Sequence, residues 1–312
     1  MNRAGPPGVV LVMNWTQDLR YALRTMRRQP WFSAAIVLTI LLGIGANTTV
    51  FTLVNAALFK PLPFPGGDRL VFAGASDRSH GHDFVNVSLP DLRDFRAAQH
   101  SFERMEPFAG AQILLSDNGN APTRLRGGEI GSGLFEMLHT PPVLGRGFNA
   151  DDEKAGATQV ILLGHGVWSD RYNRDPNVIG KPVRVNDKSA VIVGVMPPGF
   201  KFPNNEDAWI PAISAPDKEK RDYRNYRIIG MLRPGIGIAA ATADLDVIAQ
   251  RLAKQYPDAE KGLGATVQTF HQVMNGGPIR LVFLLMMGAV GFVLLIACAN
   301  VANMLLSRSV AR

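Results

Sequence analysis

The stretch WFSAAIVLTILLGIGANTTVFTLVNAALF, residues 31–59, decides the fold. It runs 29 residues without a charge. A bilayer core of about 30 Å needs roughly 20 apolar helical residues, so this run is long enough to span a membrane even when tilted. A second uncharged run, LVFLLMMGAVGFVLLIACANVANMLL, occupies residues 281–306. A buried core helix is the alternative for either run alone, but two such runs do not suit one soluble domain. The first is also too long, and its charged lead too extended, for a cleaved signal peptide. It reads as a retained anchor.

Working outward from these runs, the charge falls in an informative place. The chain has 33 Lys+Arg against 26 Asp+Glu, a net +7, which taken whole invites a nucleic-acid reading. Residues 1–31 hold Arg3, Arg20, Arg24, Arg27 and Arg28 against Asp18, so +4. Residues 60–278 hold 25 basic and 25 acidic residues and are neutral. Arg280, Arg308 and Arg312 follow with no acids. The surplus therefore borders the membrane runs, and no nucleic-acid partner is expected. Short basic flanks stay cytoplasmic while long loops cross regardless of charge. Both termini are expected in the cytoplasm, with residues 60–278 outside.

Before the first run, Trp15, Leu19, Ala22, Leu23 and Met26 fall on one helical face and Arg20, Arg24, Arg27 and Arg28 on the other. That pattern suits an amphipathic helix on an anionic inner leaflet. The preceding GPPGVVLV lacks it, which makes Met13 a candidate start. The expected organisation is a basic helix (1–30), a first span (31–59), an external domain (60–278), a second span (279–306) and a short tail (307–312). The fold class is a membrane protein with two transmembrane helices flanking an α+β domain of two subdomains.

Within the external domain, Pro61, Pro63, Pro65, Gly66 and Gly67 make a stiff exit from the membrane. LVFAGAS (70–76) reads as a strand, and Ser88 with Asp91 as a capping box for a helix with Pro90 in its first turn. Residues 113–115 and 123–126 read as a hairpin turning on Asn118-Gly119 through positive φ, and 181–197 as a hairpin about Asn186-Asp187. VILLG (160–164) is a buried strand leading to a helix through Trp168 and Tyr172. RNYRIIGMLRPG (224–235) and ATVQTF (265–270) are further strands around a helix from Ile238 to about Tyr256. Pro/Gly breaks near 199–216 suggest the division into subdomains.

The chain carries no Walker A loop, nucleophile elbow or H-E-x-x-H, and Gly43-x-Gly45 lies inside a span. His80 and His82 sit in the polar loop SDRSHGHD, His165 reads as a strand–helix turn residue, and Asp151, Asp152 and Glu153 as a solvated loop or helix start. No catalytic, cofactor-binding or metal-ligating set is expected, and the chain does not read as an enzyme. The polar and small residues of the spans are the better leads. Asn47, Asn300 and Asn303 can hydrogen-bond neighbouring helices, and Gly43 and Gly45 let backbones approach. Neither uncharged run, 31–59 or 281–306, holds an Asp, Glu, Lys, Arg or His, which speaks against proton or ion relay.

DLRYALRTMRRQPWFSAAIVLTILLGIGANTTVFTLVNAALFKPLPFP (18–65) closely resembles the N-terminal part of MacB-like/FtsX-like ABC transporter permeases of the acidobacterial type. The resemblance continues through 87–105, 175–203 and 227–235 and closes with GAVGFVLLIACANVANMLLSRSVAR (288–312). It implies a multi-pass subunit of the bacterial inner membrane whose outer part is a MacB-like periplasmic core domain, with ATP bound by a separate ABC ATPase subunit. It further implies motion passed from that ATPase to the outer domain, for efflux or envelope regulation, in a homodimer or a pair with a second permease half. Similar permeases continue beyond the second span into two further spans. The resemblance therefore implies a truncated permease or one completed by a partner. A membrane-anchored binding or scaffold module is the competing reading, and a tethered enzyme the third.

Overall fold

Each uncharged run becomes one unbroken helix, because backbone groups facing lipid have only intrahelical partners. The structure, a computed structural model, describes residues 24, 30–58, 62–77, 79–117, 119–275 and 278–310. The helices of eight or more residues are α1 (Pro30–Leu58), α2 (Leu89–Ala98), α3 (His165–Tyr172), α4 (Ile238–Gln255) and α5 (Pro278–Val310). The first strands are β1 (Leu70–Asp77), β2 (His82–Val85), β3 (Phe102–Asp117), β4 (Asn120–Ile130), β5 (Leu144–Gly145) and β6 (Gln159–Leu163). They continue as β7 (Pro182–Val185), β8 (Lys188–Val195), β9 (Ala208–Pro211), β10 (Arg227–Leu232) and β11 (Leu263–Thr269). The chain divides into two compact units, Met1–Lys60 with Asn275–Arg312, and Pro61–Met274.

In the helical unit, Ser33–Asn55 and Leu281–Met304 are long and apolar enough to cross a membrane. Their side chains are almost all exposed, Leu42 at 64% and Phe292 at 68% among them. In water such a surface is untenable, and lipid is the solvent that suits it.

The other unit is α+β. Its strands run in the order β11-β1-β10-β3-β4-β9-β6-β8-β5, with β2 on β1 and β7 joining β3 to β8. Those last two pairings close a ring. From β3 the hydrogen bonds pass to β4, β9, β6, β8 and β7 and return to β3. The chain thus builds an open sheet and a six-stranded barrel that share the 16-residue strand β3. Pro61–Met274 is one compact unit, in which the open sheet and the barrel are continuous through β3.

Alternation along β3 sorts the core. Ile113 and Leu115 point into the barrel with Leu125, Ile161, Val183, Ala190, Ile192 and Ala208. Val167, Trp168 and Tyr172 of α3 pack against that cluster, and Tyr172 donates to Asp117 Oδ2 at 2.7 Å where the β3–β4 hairpin ends. On the open sheet, one face packs Val71, Ala73, Ile228 and Val267 under Leu92 and Phe95 of α2 and Leu245, Ile248 and Leu252 of α4. The opposite face supplies Leu70, Phe72, Ile229 and Met231 to a third cluster rich in aromatics, with Leu162 and Trp209 from the outside of the barrel.

Local chemistry sets the ends of the elements. The Ser88–Asp91 capping box is complete, Asp91 N donating to Ser88 Oγ at 3.2 Å and Ser88 N to Asp91 Oδ2 at 3.3 Å. Asn186 (φ 49°) and Asp187 (φ 65°) make the left-handed pair that a two-residue hairpin needs. Asn118 of the expected β3–β4 turn lies outside the described residues. Asp117 Oδ1 ties the turn, accepting from Gly119 N and Asn120 Nδ2, both at 3.1 Å. That hairpin is far longer than expected, paired from Phe108–Ile130 to Asp117–Asn120. Its middle, Ala109–Ala111 against Gly127–Gly128, has low strand propensity and is held by register alone. His82 belongs to β2 rather than to a loop. The acids after Asn149 are not simply solvated: Asp152 is buried and takes Arg146 in two bonds of 2.6 and 3.0 Å, and Glu153 accepts from Ser132 N.

Gly131 follows the long hairpin where the Glu106 carboxylate fills the space beside it. A Cβ there would lie 2.0 Å from Glu106 Oε2 and 2.5 Å from Pro107 Cδ, whereas at Gly110 it would meet open space. Gly131→Ala is expected to lower the unfolding free energy by about 1–3 kcal/mol. Gly110→Ala should stay within about 0.5 kcal/mol. Urea unfolding of the two variants separates them.

Candidate functional site

The residues singled out in the spans distribute unevenly. Gly43 is buried, and its Cβ position lies 3.3 Å from Ala297 Cβ and 3.6 Å from Leu294 Cδ1, so α1 and α5 meet there. Ala297 and Val54 are likewise buried. Gly45 has nothing within 4 Å and lies off that contact, as do Gly288 and Gly291. Asn47 is half-buried, while Asn300 and Asn303 are exposed. Thr39 and Thr49 bond back to the carbonyls of Ala35 and Gly45 within α1, both at 2.8 Å. Arg24 is helical and exposed. Arg20, Arg27 and Arg28, with the remainder of the amphipathic pattern, lie outside the described residues.

A second candidate forms where the chain enters and leaves the outer unit. β1 follows α1 in sequence and β11 precedes α5, and the two strands pair antiparallel with Val71 opposite Thr269. The entering and leaving segments therefore meet the sheet side by side. Phe64 of the entering segment packs edge-on against Phe202, with centroids 5.1 Å apart. Phe270, at the end of β11, lies 5.1 Å from the same Phe202 ring and stacks on Phe72 at 4.1 Å. Phe200 and Trp209 extend the group into the aromatic core, 5.3 Å apart. Arg227 covers it from the edge, its guanidinium 5.9 Å from the Phe72 centroid and 5.8 Å from that of Phe84, and burial lowers its pKa. Arg69 anchors the entering segment by donating to Glu103 Oε1 and to the Leu232 carbonyl, each at 2.7 Å. One ring, Phe202, touches both segments.

An ionic strap secures the return from barrel to open sheet. Arg221 donates to Asp91 and Asp94, each at 2.6 Å, and stacks 3.8 Å over Tyr256. Arg224 reaches Glu260 at 2.8 Å and the Ala259 carbonyl at 2.6 Å. Burial, and then the neighbouring Asp91 carboxylate, push Glu260 up from 4.5 to about 7.

A family model for the MacB-like periplasmic core domain matches residues 33–248. The chain belongs to that family. It is an ABC transporter permease family, and this MacB-like chain is a membrane protein with an extracytoplasmic segment. Among solved structures, a domain described as part of a permease protein from Porphyromonas gingivalis is 18% identical, covers 72% of this chain and 99% of its own, and has a TM-score of 0.50. The periplasmic region of MacB from Actinobacillus actinomycetemcomitans is 14% identical, with 66% and 90% coverage and a TM-score of 0.48. The extracellular domain of the noncanonic ABC-type transporter YknZ from Gram-positive bacteria is 12% identical, with 64% and 100% coverage and a TM-score of 0.47. At these identities the likeness concerns the fold. No curated protein matches the chain.

In the MacB-like chain the aromatic cluster escaped the sequence reading although its signal is present. PLPFP (61–65) and PPGFKFP (197–203) both pair prolines with phenylalanines, and each passes for a stiff break when read alone. Only the fold brings them together.

Two outcomes follow from this geometry. Phe202→Ala is expected to cost about 3–5 kcal/mol in unfolding of the outer unit, while Val247→Ala, at a residue 69% exposed, should cost under about 0.5 kcal/mol. Because the Glu260 pKa is raised on folding, the folded state binds the extra proton, and this group's contribution to stability falls as pH rises from 4.5 to about 7. Glu260→Gln should therefore raise the melting temperature above pH 7, by about 2–4 °C per kcal/mol recovered, and the gain should vanish below pH 4.5. Thermal melts across that range check it.

Proposed function

We propose that this chain is the permease portion of a MacB-like ABC transporter and passes motion from a cytoplasmic ATPase subunit to its extracytoplasmic domain. Both termini lie in the cytoplasm, residues 60–278 lie outside, and ATP binds only the partner subunit. The observation that carries the reading is the convergence of both connecting segments on Phe202. A shift of either membrane helix would be delivered to one rigid cluster and then to the sheet. The uncharged spans fit mechanical transmission better than conduction. Pairing with a second copy, or with a second permease half, would cover the apolar helix surface that α1 and α5 leave exposed.

The competing reading, a membrane-anchored binding or scaffold module, needs the same topology and no ATPase. Reconstitution with an ABC ATPase encoded beside the permease separates the two: stimulation of ATP turnover by this chain, reduced several-fold in Phe202→Ala at unchanged complex yield, supports transmission. Complex formation without any effect on turnover supports the scaffold. For topology, Asp187→Cys in a Cys298→Ser background should react with a membrane-impermeant maleimide in intact spheroplasts. Labelling only after lysis would overturn the proposed orientation.

A further inference from the structure

The barrel has one plugged end and one open end. α3 covers the end where the β3–β4 hairpin turns. At the other end a cleft of about 810 Å³ opens, and each of the six barrel strands contributes to its lining: Ala111, Glu129, Gln159, Val185, Lys188 and Ile210. Pairing and alternation make these the inward positions one layer beyond Ile113, Ile161, Ala190 and Ala208. The cleft is therefore a barrel mouth with an apolar floor, a place where small ligands bind in many barrels. The segment Ile213–Lys218 forms part of its rim.

Three of the mouth's polar groups are incompletely engaged by protein. Glu129 receives Lys218 Nζ and Tyr226 Oη on the same oxygen, Oε1. Its Oε2 accepts from no described residue. The Gln159 Oε1 has no donor among the described residues, so no protein partner fixes that amide in one orientation. The ammonium of Lys188, unlike that of Lys218, makes no ion pair among the described residues. An anionic acceptor, an unfixed amide and an unpaired cation thus border one cavity over an apolar floor.

We propose that this barrel mouth binds a small zwitterion, a free amino acid or short peptide with both ends charged. The ligand ammonium donates to Glu129 Oε2, its carboxylate accepts from Lys188, and the Gln159 amide turns to serve either end. A lone anion would leave Glu129 Oε2 without a donor, and a lone cation would leave Lys188 without an acceptor and meet its charge. A ligand carrying both charges satisfies both groups. The cleft volume suits a chain of a few residues as well as a single amino acid. Binding here needs no ATPase, so it stands or falls apart from the transport reading.

The test uses the full chain in nanodiscs, with triglycine as the probe and N-acetyl-triglycine amide, whose ends are neutral, as the control. Saturation-transfer NMR and calorimetry are expected to show saturable triglycine binding and much weaker binding of the control. Lys188→Met, at an exposed position, should weaken triglycine about tenfold while leaving the control unchanged. Ala111→Phe, which adds an aromatic ring to the lining of the mouth, should abolish binding. Repeating the titration with glycine reports the preferred length. Equal affinity for triglycine and its neutral-ended control overturns the proposal. So does absence of saturable binding in the folded wild-type chain, or triglycine binding that survives Ala111→Phe.

Discussion

The antiparallel pairing of β1 with β11 is the constraint on which the rest depends. It brings together two segments separated by about 190 residues of chain, one following α1 and the other preceding α5. Once Val71 faces Thr269, Phe64 and Phe270 fall within reach of the same Phe202 ring. Without that pairing, the entering and leaving segments would join unrelated parts of the sheet. With it, apolar aromatic contact does the joining and is insensitive to salt.

The outer unit divides its tasks along β3. One half of that strand belongs to an open sheet that carries the connecting segments on its outer pair of strands, and the other half closes a barrel. The open sheet and the barrel are therefore joined by continuous backbone hydrogen bonds rather than by a linker. The ionic strap about Arg221 and Arg224 secures the path back from barrel to sheet, and within it burial, with Asp91 close by, raises the Glu260 carboxyl to about 7. The barrel mouth lies at the end where β3 passes into the open sheet, and Tyr226, just before β10, donates to Glu129 in its lining.

Much of this was legible in sequence, for identifiable reasons. The spans were plain because 29 residues without charge admit few alternatives, and the charge split located them. Ser88-x-x-Asp91 and Asn186-Asp187 were plain because caps and two-residue turns are decided by neighbours in the chain. The β3–β4 hairpin was foreshortened because its middle is Ala and Gly, residues whose strand state comes from partners. β9 went unnoticed for the same reason: four residues between Pro/Gly breaks become a strand only by lying between β4 and β6. The packing residues were half legible. Gly43 sits at the helix contact, but spacing alone could not tell its face from that of Gly45. The barrel mouth has no local signature, and the two Pro/Phe segments of the aromatic cluster do not reveal their pairing, since each site gathers residues from three or more distant segments.

The account's central claim is that the two connecting segments act as one unit through Phe202. A double-mutant cycle of Phe64→Ala and Phe270→Ala, read by unfolding free energy of the full chain in nanodiscs, tests it most directly. The account predicts coupling of about 0.5–1.5 kcal/mol between two residues that meet through a shared ring. Additivity within about 0.3 kcal/mol would mean that the segments are held independently, and would contradict it.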